Sequence, residues 1–365
     1  MAQKKRSAAN LPLIAALGLT CAVGFGIYIQ NTYKFHLAPE AKVPLRAVEP
    51  LATDIKPAPK GTSVAALGPM ATLTQTPALP STPPSNAGPA TAPSTPPPLA
   101  PPVKPASAAA QSQVIADAAA KFSAGDLLAS RDLLNDALVG GHLTGASADS
   151  ARHMLGQIGQ TVILSKTRFK DDPFQTLYQV QSGDRLARIA DRHNVTWELL
   201  CRINGMADPR KMRSGQWLKI PNGPFHCVIN KSVYRLDVYL GSPGEAGSLF
   251  VASFPVGLGK DNSTPTGSWI VQTGGKAHPA TYYSPRGEGV IAANDPKNPL
   301  GGYWIGITGV SGNALSKDSY GIHGTIDPDS IGKQASLGCI RLGHDDIALL
   351  FDMLVDGKSK IVVRD

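Results

Sequence analysis

The alternation of hydrophobic and polar positions divides the 365-residue chain into stretches of different character. The first is an uncharged, mostly apolar run over residues 11–29, which follows a basic group at 4–6. A run of this length matches one span of a bilayer, and basic residues beside a span stay in the cytoplasm. We therefore predict a cytoplasmic N-terminus over 1–10 and a transmembrane anchor over 11–30.

A cleavable signal peptide is the alternative to this anchor. The apolar core is long for a signal peptide, and no small-x-small cleavage site follows it closely, so the anchor is preferred. The rest of the chain would then lie in a bacterial cell envelope, in the periplasm or outside the cell. Residues 31–110 are rich in Pro, Ala, Thr and Ser. We predict a disordered linker there, because this composition buries too little apolar surface to fold.

Apolar residues recur at helical spacing over the next stretch. Val114, Ala118 and Phe122 mark a first helix, and "GDLLASRDLLNDALVGG" a second amphipathic helix that ends at two glycines. A third helix is predicted to begin after Ser147, which would cap it. The pieces resemble one tetratricopeptide-type hairpin, and a lone repeat cannot close a core. We predict a small helical spacer or docking module over 111–170.

The following segment combines short strand and helix patterns. Tyr178 and Val180 alternate as in a strand, a Ser-Gly-Asp turn precedes one helix, Thr196 caps a second, and "QWLKIP" closes with a strand. This βααβ unit over 177–223 resembles a LysM domain: Y-x-V-x-x-G-D-x-L-x-x-I-A, N-G and G-Q-x-L-x-I-P are all present, with Ser214 where the family usually has proline. The resemblance implies binding to N-acetylglucosamine-containing glycan, in peptidoglycan or chitin. A module used only as a spacer is the alternative, since fold does not certify sugar contacts.

Strand patterns dominate from residue 224 to the end. "HCVINKSVYRLDVYLG" predicts a hairpin with a polar turn near Lys231, and "SLFVASFPVGLG" and "GSWIVQT" predict further strands. One face of the hairpin is expected to carry Tyr234, Leu236, Val238 and Leu240. The domain over 224–365 is therefore predicted to be mostly β.

Charge and cysteine content narrow the classes of partner. The net charge is +8 at pH 7. An exported chain rarely meets genomic nucleic acid, so anionic wall polymers or lipid headgroups are favoured as partners over nucleic acid. Simple solubility is an equally good account of the charge. Four scattered cysteines form no disulfide framework, although Cys201 and Cys227 remain a candidate pair in an oxidising compartment.

The candidate chemistry lies in "YGIHGTIDPDSIGKQASLGCIRL", where His323 precedes Cys339 by sixteen positions. A histidine within hydrogen-bonding reach stabilises a thiolate and lowers the pKa of the thiol. Gly338 leaves the approach to the sulfur uncrowded, and nearby backbone N–H groups are candidates for stabilising an oxyanion. Arg341 would share a strand face with Cys339 and bind a substrate carboxylate. Spacing alone makes this a weak signal.

The same stretch resembles the catalytic motif of the YkuD-type L,D-transpeptidases: H-G-T, then S-I-G, then S-x-G-C-x-R. The resemblance extends over nearly all of 224–365 and implies a β-sandwich-like catalytic domain that needs neither metal nor cofactor. By this resemblance Cys339 forms a thioester with a peptidoglycan stem peptide, and carbapenems acylate the same sulfur. His323 would move the protons, and Leu337 stands where many members have another histidine.

The resemblance also assigns substrate-binding roles. Ser336 and Gly338 would line the thioester and oxyanion pocket, and Arg341 would bind the donor stem. Trp304 and Tyr320 are candidates for the walls of the cleft, although aromatic residues in strand-rich domains are more often core.

Other interpretations stay open at this point. Cys339 is a candidate core residue, and Arg341 a candidate structural ion-pair partner. A zinc site from His323, Cys339 and His344 lacks closely paired ligands. Three acyl acceptors are also open. A stem amine would give a 3-3 crosslink, water would make the enzyme an L,D-carboxypeptidase, and a protein lysine would make it an attachment enzyme. A non-catalytic peptidoglycan-binding scaffold is the alternative outside the enzyme class, and Leu337 favours it.

Overall fold

The computed structural model describes residues 105–245 and 247–365. The predicted N-terminus (1–10), the anchor (11–30) and nearly all of the linker (31–110) lie outside these residues. Within the described residues, no helix is long and apolar enough to cross a bilayer.

Three helices begin the described part of the chain: α1 (Ala108–Ser123), α2 (Leu127–Val139) and α3 (Gly145–Val162). We call them together the helical layer. Helix α1 begins three residues before the predicted boundary, where the Ser107 hydroxyl accepts the N–H of Ala110. Helix α3 begins before Ser147, with Thr144 as its N-cap. The cause is a tertiary contact, because the Thr144 N–H donates to the Gln111 side chain of α1.

The predicted βααβ unit follows the helical layer in the expected order: β1 (Gln175–Gln179), α4 (Leu186–Arg192), α5 (Trp197–Asn204) and β2 (Trp217–Pro221). Strands β1 and β2 pair antiparallel. The Thr196 hydroxyl accepts the N–H of Leu199 at 3.0 Å, which confirms it as the cap of the second helix. Gly205 ends that helix in the left-handed conformation.

The remaining residues form the mostly-β domain that the sequence predicts. Its elements are β3 (Phe225–Asn230), β4 (Arg235–Leu240), β5 (Leu249–Pro255), β6 (Leu258–Gly259), β7 (Gly267–Ala277), β8 (Tyr282–Tyr283), β9 (Val290–Ile291), β10 (Trp304–Gly312), β11 (Tyr320–His323), β12 (Gln334–Ser336), β13 (Ile340–Arg341), α6 (His344–Met353) and β14 (Lys360–Arg364).

Eight of these strands form a single mixed sheet in the order β13-β11-β10-β7-β14-β3-β4-β5. The family resemblance implies a sandwich-like arrangement instead. The difference arises at β14, which pairs parallel with β3 and antiparallel with β7. This last strand joins two groups of strands that are far apart in the chain into one curled sheet.

Strand β4 is buried on both faces, whereas the hairpin pattern predicted one buried face. Leu236 and Val238 are fully buried, and so is the intervening Asp237, at 3% exposure. The helical layer covers this second face, where the Arg152 guanidinium lies 3.0 Å from the Asp237 carboxylate. Tyr234 is not part of the strand, because it adopts a left-handed conformation in the turn. Lys231 in that turn is buried and donates to the carbonyl of Thr264.

The two candidate disulfide cysteines are both free. Cys201 lies in α5 and Cys227 in β3, and both are buried. They therefore serve as small apolar residues of the core.

We predict opposite effects for two alanine substitutions in α3. A Cβ at Gly159 would lie 2.3 Å from the backbone oxygen of Val251, whereas nothing lies within 4 Å of a Cβ at Gly156. Gly159→Ala should lower the free energy of unfolding by about 1–3 kcal/mol, since the backbone of β5 must shift. Gly156→Ala should raise it by about 0.5–1 kcal/mol.

Urea denaturation of the two variants beside wild type measures these changes. Equal effects of the two substitutions would contradict close packing of α3 on β5.

Candidate active site

Strand register brings the principal candidate residues to one face of the sheet. Trp304 lies directly opposite His323 in the β10–β11 pair, and His323 lies opposite Arg341 in the β11–β13 pair. Directly opposed residues project to the same face, and residues two apart on one strand do so as well. Cys339 precedes β13 by one residue and shares the face of Arg341. We call this surface the catalytic face.

Gly321 shapes the floor of the catalytic face. A Cβ at this position would lie 2.4–2.7 Å from three atoms of the Trp304 ring. Without that atom the indole lies flat across β11 and stacks beside His323, with ring centroids 5.9 Å apart and planes 20° apart. The sequence analysis missed Gly321, although a glycine inside a strand commonly marks such a close approach.

One hydrogen bond orients the imidazole of His323. Its Nδ1 lies 2.6 Å from the carbonyl oxygen of Gly324, which can only accept. Nδ1 therefore carries the proton, and Nε2 is the nitrogen that can accept one. Burial lowers the pKa of His323 to about 4, and the bond to Gly324 opposes this only in part. The histidine is neutral at neutral pH.

Burial also governs the thiol of Cys339. It raises the pKa of the Cys339 thiol, while a hydrogen bond from the Gly321 backbone and the charge of Arg341 oppose the rise. The sequence analysis expected the pKa to be lowered by His323. The outcome is the reverse because the loss of solvation on burial outweighs both opposing groups, and neutral His323 adds no positive charge. Both side chains are therefore neutral at neutral pH.

The loop before Cys339 is held by two hydroxyl groups. The Ser336 hydroxyl donates to the carbonyl of Cys339 at 2.6 Å and accepts the N–H of Gly338 at 3.1 Å. The Thr264 hydroxyl donates to the carbonyl of Gly338 and accepts the N–H of Gly259, both at 2.9 Å. Ser336 and Gly338 are thus engaged within the loop, and Thr264 is a supporting residue that the sequence analysis missed.

Tyr320 lies on the opposite face of the sheet from His323. Residues 320 and 323 are three apart on β11 and so alternate in direction. The Tyr320 ring packs 5.1 Å from that of buried Trp269. A Cβ at Gly338 would lie 2.8 Å from it, and Gly338 has φ +138°. Tyr320 therefore supports the backbone of Gly338 from the face opposite His323, whereas the sequence predicts that it forms a wall of the cleft.

Arg341 has no ion-pair partner among the described residues, and its buried Nε has no hydrogen-bond partner there either. The structural ion pair considered from the sequence is therefore absent from this part of the chain. A buried guanidinium nitrogen without an acceptor suits an anionic ligand. Neighbouring Leu337 is 56% exposed, so this side chain does not fill the site.

The described residues do not form the zinc site considered from the sequence, with His323, Cys339 and His344 as ligands. Within residues 105–245 and 247–365, no three His, Cys, Asp or Glu side chains lie close enough to hold a metal ion. His344 instead begins α6 and packs against the Tyr303 ring at 6.0 Å.

The segment 278–303 leaves the sheet after β7 and returns at Trp304, beside the catalytic face. It carries the hairpin β8–β9, with exposed Tyr283 and Val290. Its two ends are joined by stacked rings of His278 and Tyr303, 3.8 Å apart.

A cavity of about 520 Å³ lies on the βααβ unit. It opens between the end of α5 and the loop before β2, and its lining includes Asp208, Lys211 and Arg213. Carboxylate, ammonium and guanidinium groups supply the hydrogen bonds that a sugar ligand requires.

Comparison with known proteins assigns two domains of the chain to families. The L,D-transpeptidase catalytic domain (YkuD) matches residues 226–363, and the LysM domain matches 178–221. The candidate L,D-transpeptidase YkuD of Bacillus subtilis is 30% identical over 191 residues, covering 51% of this chain and 98% of that protein. The candidate L,D-transpeptidase ErfK/SrfK of Escherichia coli is 28% identical over 213 residues, covering 53% of this chain and 60% of that protein.

Among solved structures, an L,D-transpeptidase from Mycobacterium smegmatis shows 20% identity and a TM-score of 0.28, covering 41% of this chain and 64% of that one. The sequence matches, not this structural likeness, decide the assignment. The chain belongs to the YkuD family of L,D-transpeptidases and carries a LysM domain.

We predict that buried His323 makes stability depend on pH. Its pKa is about 4 in the folded protein, against about 6.5 in an unfolded chain. The unfolded state therefore binds the proton first as pH falls, and stability is lost between these two values. At about pH 4.5 the loss relative to pH 7 should be about 2 kcal/mol.

His323→Asn should remove this loss. Urea denaturation of wild type and variant at both pH values measures it, and His226, whose pKa burial also lowers, is present in both proteins and cancels. An identical pH dependence of the two proteins would show that His323 is accessible to protons when folded.

Proposed function

We propose that this protein is a cysteine-dependent peptidoglycan L,D-transpeptidase that forms 3-3 crosslinks between stem peptides. The supporting observation is the convergence of Cys339, neutral His323 and unpaired Arg341 on the catalytic face of a YkuD-family domain. Trp304 lies on the same face, opposite His323. The set offers a nucleophile, a base and an anion-binding group.

In the first half-reaction the thiol of Cys339 attacks the stem carbonyl that bears the terminal D-alanine. Nε2 of His323 takes the thiol proton as the S–C bond forms, so no thiolate need exist at rest. The Cys339 N–H donates to no other described group and is the donor we assign to the oxyanion. The imidazolium then protonates the departing D-alanine amine, which leaves a thioester on Cys339.

In the second half-reaction an amine of a second stem attacks the thioester. His323 takes a proton from that amine, the C–S bond breaks, and the thiol is regenerated with the new amide. Water in place of the amine would give carboxypeptidase activity, and a protein lysine would give attachment. Arg341 holds a carboxylate of the donor stem by charge-assisted hydrogen bonds.

The LysM domain is proposed to hold the enzyme on glycan strands through the cavity beside α5. Binding there raises the local concentration of stems at the catalytic face. We keep the domain order predicted from the sequence, with an anchor over 11–30 and a location in the cell envelope. The apolar run and the basic residues before it support the anchor.

Kinetics of purified protein with a disaccharide-tetrapeptide test the roles. His323→Ala should slow acylation at least 100-fold, roughly the contribution of a general base. Arg341→Met should raise donor KM by roughly 10- to 100-fold, the worth of hydrogen bonds to a charged group. Arg364→Met, at an exposed arginine of β14, is the matched control and should behave as wild type.

Mass analysis of the products distinguishes a 3-3 crosslinked dimer from a hydrolysed tripeptide. Tripeptide alone at saturating acceptor would replace the transpeptidase proposal by a carboxypeptidase. Wild-type rates for both His323→Ala and Arg341→Met would refute the assigned site.

A further inference from the structure

The helical layer packs on both the catalytic domain and the LysM domain. A single cluster of buried apolar residues runs from Ala118 in α1 through Leu199 in the LysM domain to Val363 in β14. Domains joined by small polar interfaces normally move relative to each other. A shared core of this kind opposes such motion. The helical segment predicted as a spacer therefore does more than separate the two domains.

On the catalytic side, the helical layer closes the edge of the main sheet. Strand β5 is the last strand, so its outer backbone groups lack a strand partner. The buried Asn135 side chain of α2 takes their place: its Nδ2 donates to the carbonyl of Ser248, and its Oδ1 accepts the N–H of Phe250, both at 2.9 Å. Gly159 of α3 lets that helix approach the backbone of Val251 closely.

On the LysM side, a buried lysine closes the end of α3. Lys219 of β2 has 0% exposure, and its Nζ donates to three carbonyls, those of Val162, Ser165 and Thr167. Carbonyls at the end of a helix lack partners within the helix and favour a cation. The ammonium group thus ties the LysM sheet to the helical layer in one orientation.

A second buried tie is independent of the first. The guanidinium of Arg131 in α2 lies 2.8 Å from the carboxylate of Asp172, just before β1, with exposures of 2% and 0%. The same guanidinium lies over the Phe174 ring, 5.0 Å from its centroid. The LysM domain also contacts the catalytic domain directly, where Arg202 lies 2.6 Å from Asp352 of α6.

We propose that the helical layer is a rigid frame that fixes the LysM cavity at one offset from the catalytic face. The enzyme then selects polymeric peptidoglycan, in which a stem lies at that offset from the LysM-bound sugar. A flexible tether would only raise local concentration. A rigid frame also dictates which stem along a strand reaches Cys339. This inference rests on the proposed function and adds a specificity for polymer over soluble fragments.

The test compares two substrates in the full chain: intact sacculi and a soluble disaccharide-tetrapeptide. Lys219→Met leaves three carbonyls at and just after the end of α3 without their donor, and Arg131→Met removes the ion-pair partner of Asp172. Lys166→Met is the matched control, since Lys166 is exposed near the end of α3. Circular dichroism and melting establish that each variant is folded.

We expect each interface variant to lower turnover on sacculi at least fivefold, with the soluble substrate changed less than twofold. Parallel losses on both substrates, or none on either, would overturn the rigid-frame proposal. No product from wild type on either substrate would instead refute the proposed function.

A distance measurement covers the case in which both interface variants unfold. Spin labels at Arg188→Cys in the LysM domain and Asp318→Cys in the catalytic domain report the offset. The background carries Cys21→Ser and Cys339→Ser, and the remaining cysteines, Cys201 and Cys227, are buried. The rigid frame predicts one narrow distance distribution. A broad distribution in this otherwise native protein would overturn the proposal.

Discussion

The pairing of the four-residue strand β11 with its two neighbours is the constraint on which the site depends. Its antiparallel partner β10 supplies Trp304 opposite His323, and its parallel partner β13 supplies Arg341 on the other side. A slip of one residue in either register would move a member of this set to the opposite face. Gly321 makes the arrangement possible, because only a residue without a Cβ leaves room for the indole.

Burial, rather than charge pairing, sets the pKa values of Cys339 and His323. Desolvation lowers the pKa of His323 and raises that of Cys339, so the ionised forms of both are disfavoured at rest. The polar groups around them are already engaged: Nδ1 with Gly324, the Ser336 hydroxyl with its own loop. In the proposed mechanism the proton therefore moves as the S–C bond forms, with Nε2 as its acceptor.

The sequence predicted those features that local chemistry determines. The LysM fold followed from its turn and cap residues, such as Thr196. The motif around Cys339 pointed to His323 and Arg341, which the strand register places directly opposite each other. Features set by distant parts of the chain were missed. The pairing of β14 with both β3 and β7, the Thr144 start of α3 and the burial of Lys219 each depend on contacts across many residues. The periodicity of hydrophobic residues carries no information on these long-range contacts.

The assignment of Cys339 as the residue that carries the acyl group is the central claim, and intact-mass spectrometry tests it most directly. Wild type and Cys339→Ala would each be incubated with a disaccharide-tetrapeptide and with a carbapenem. The account predicts a covalent adduct on wild type with both reagents and none on the variant. Folded wild-type protein with a free thiol that forms no adduct with either reagent would contradict it.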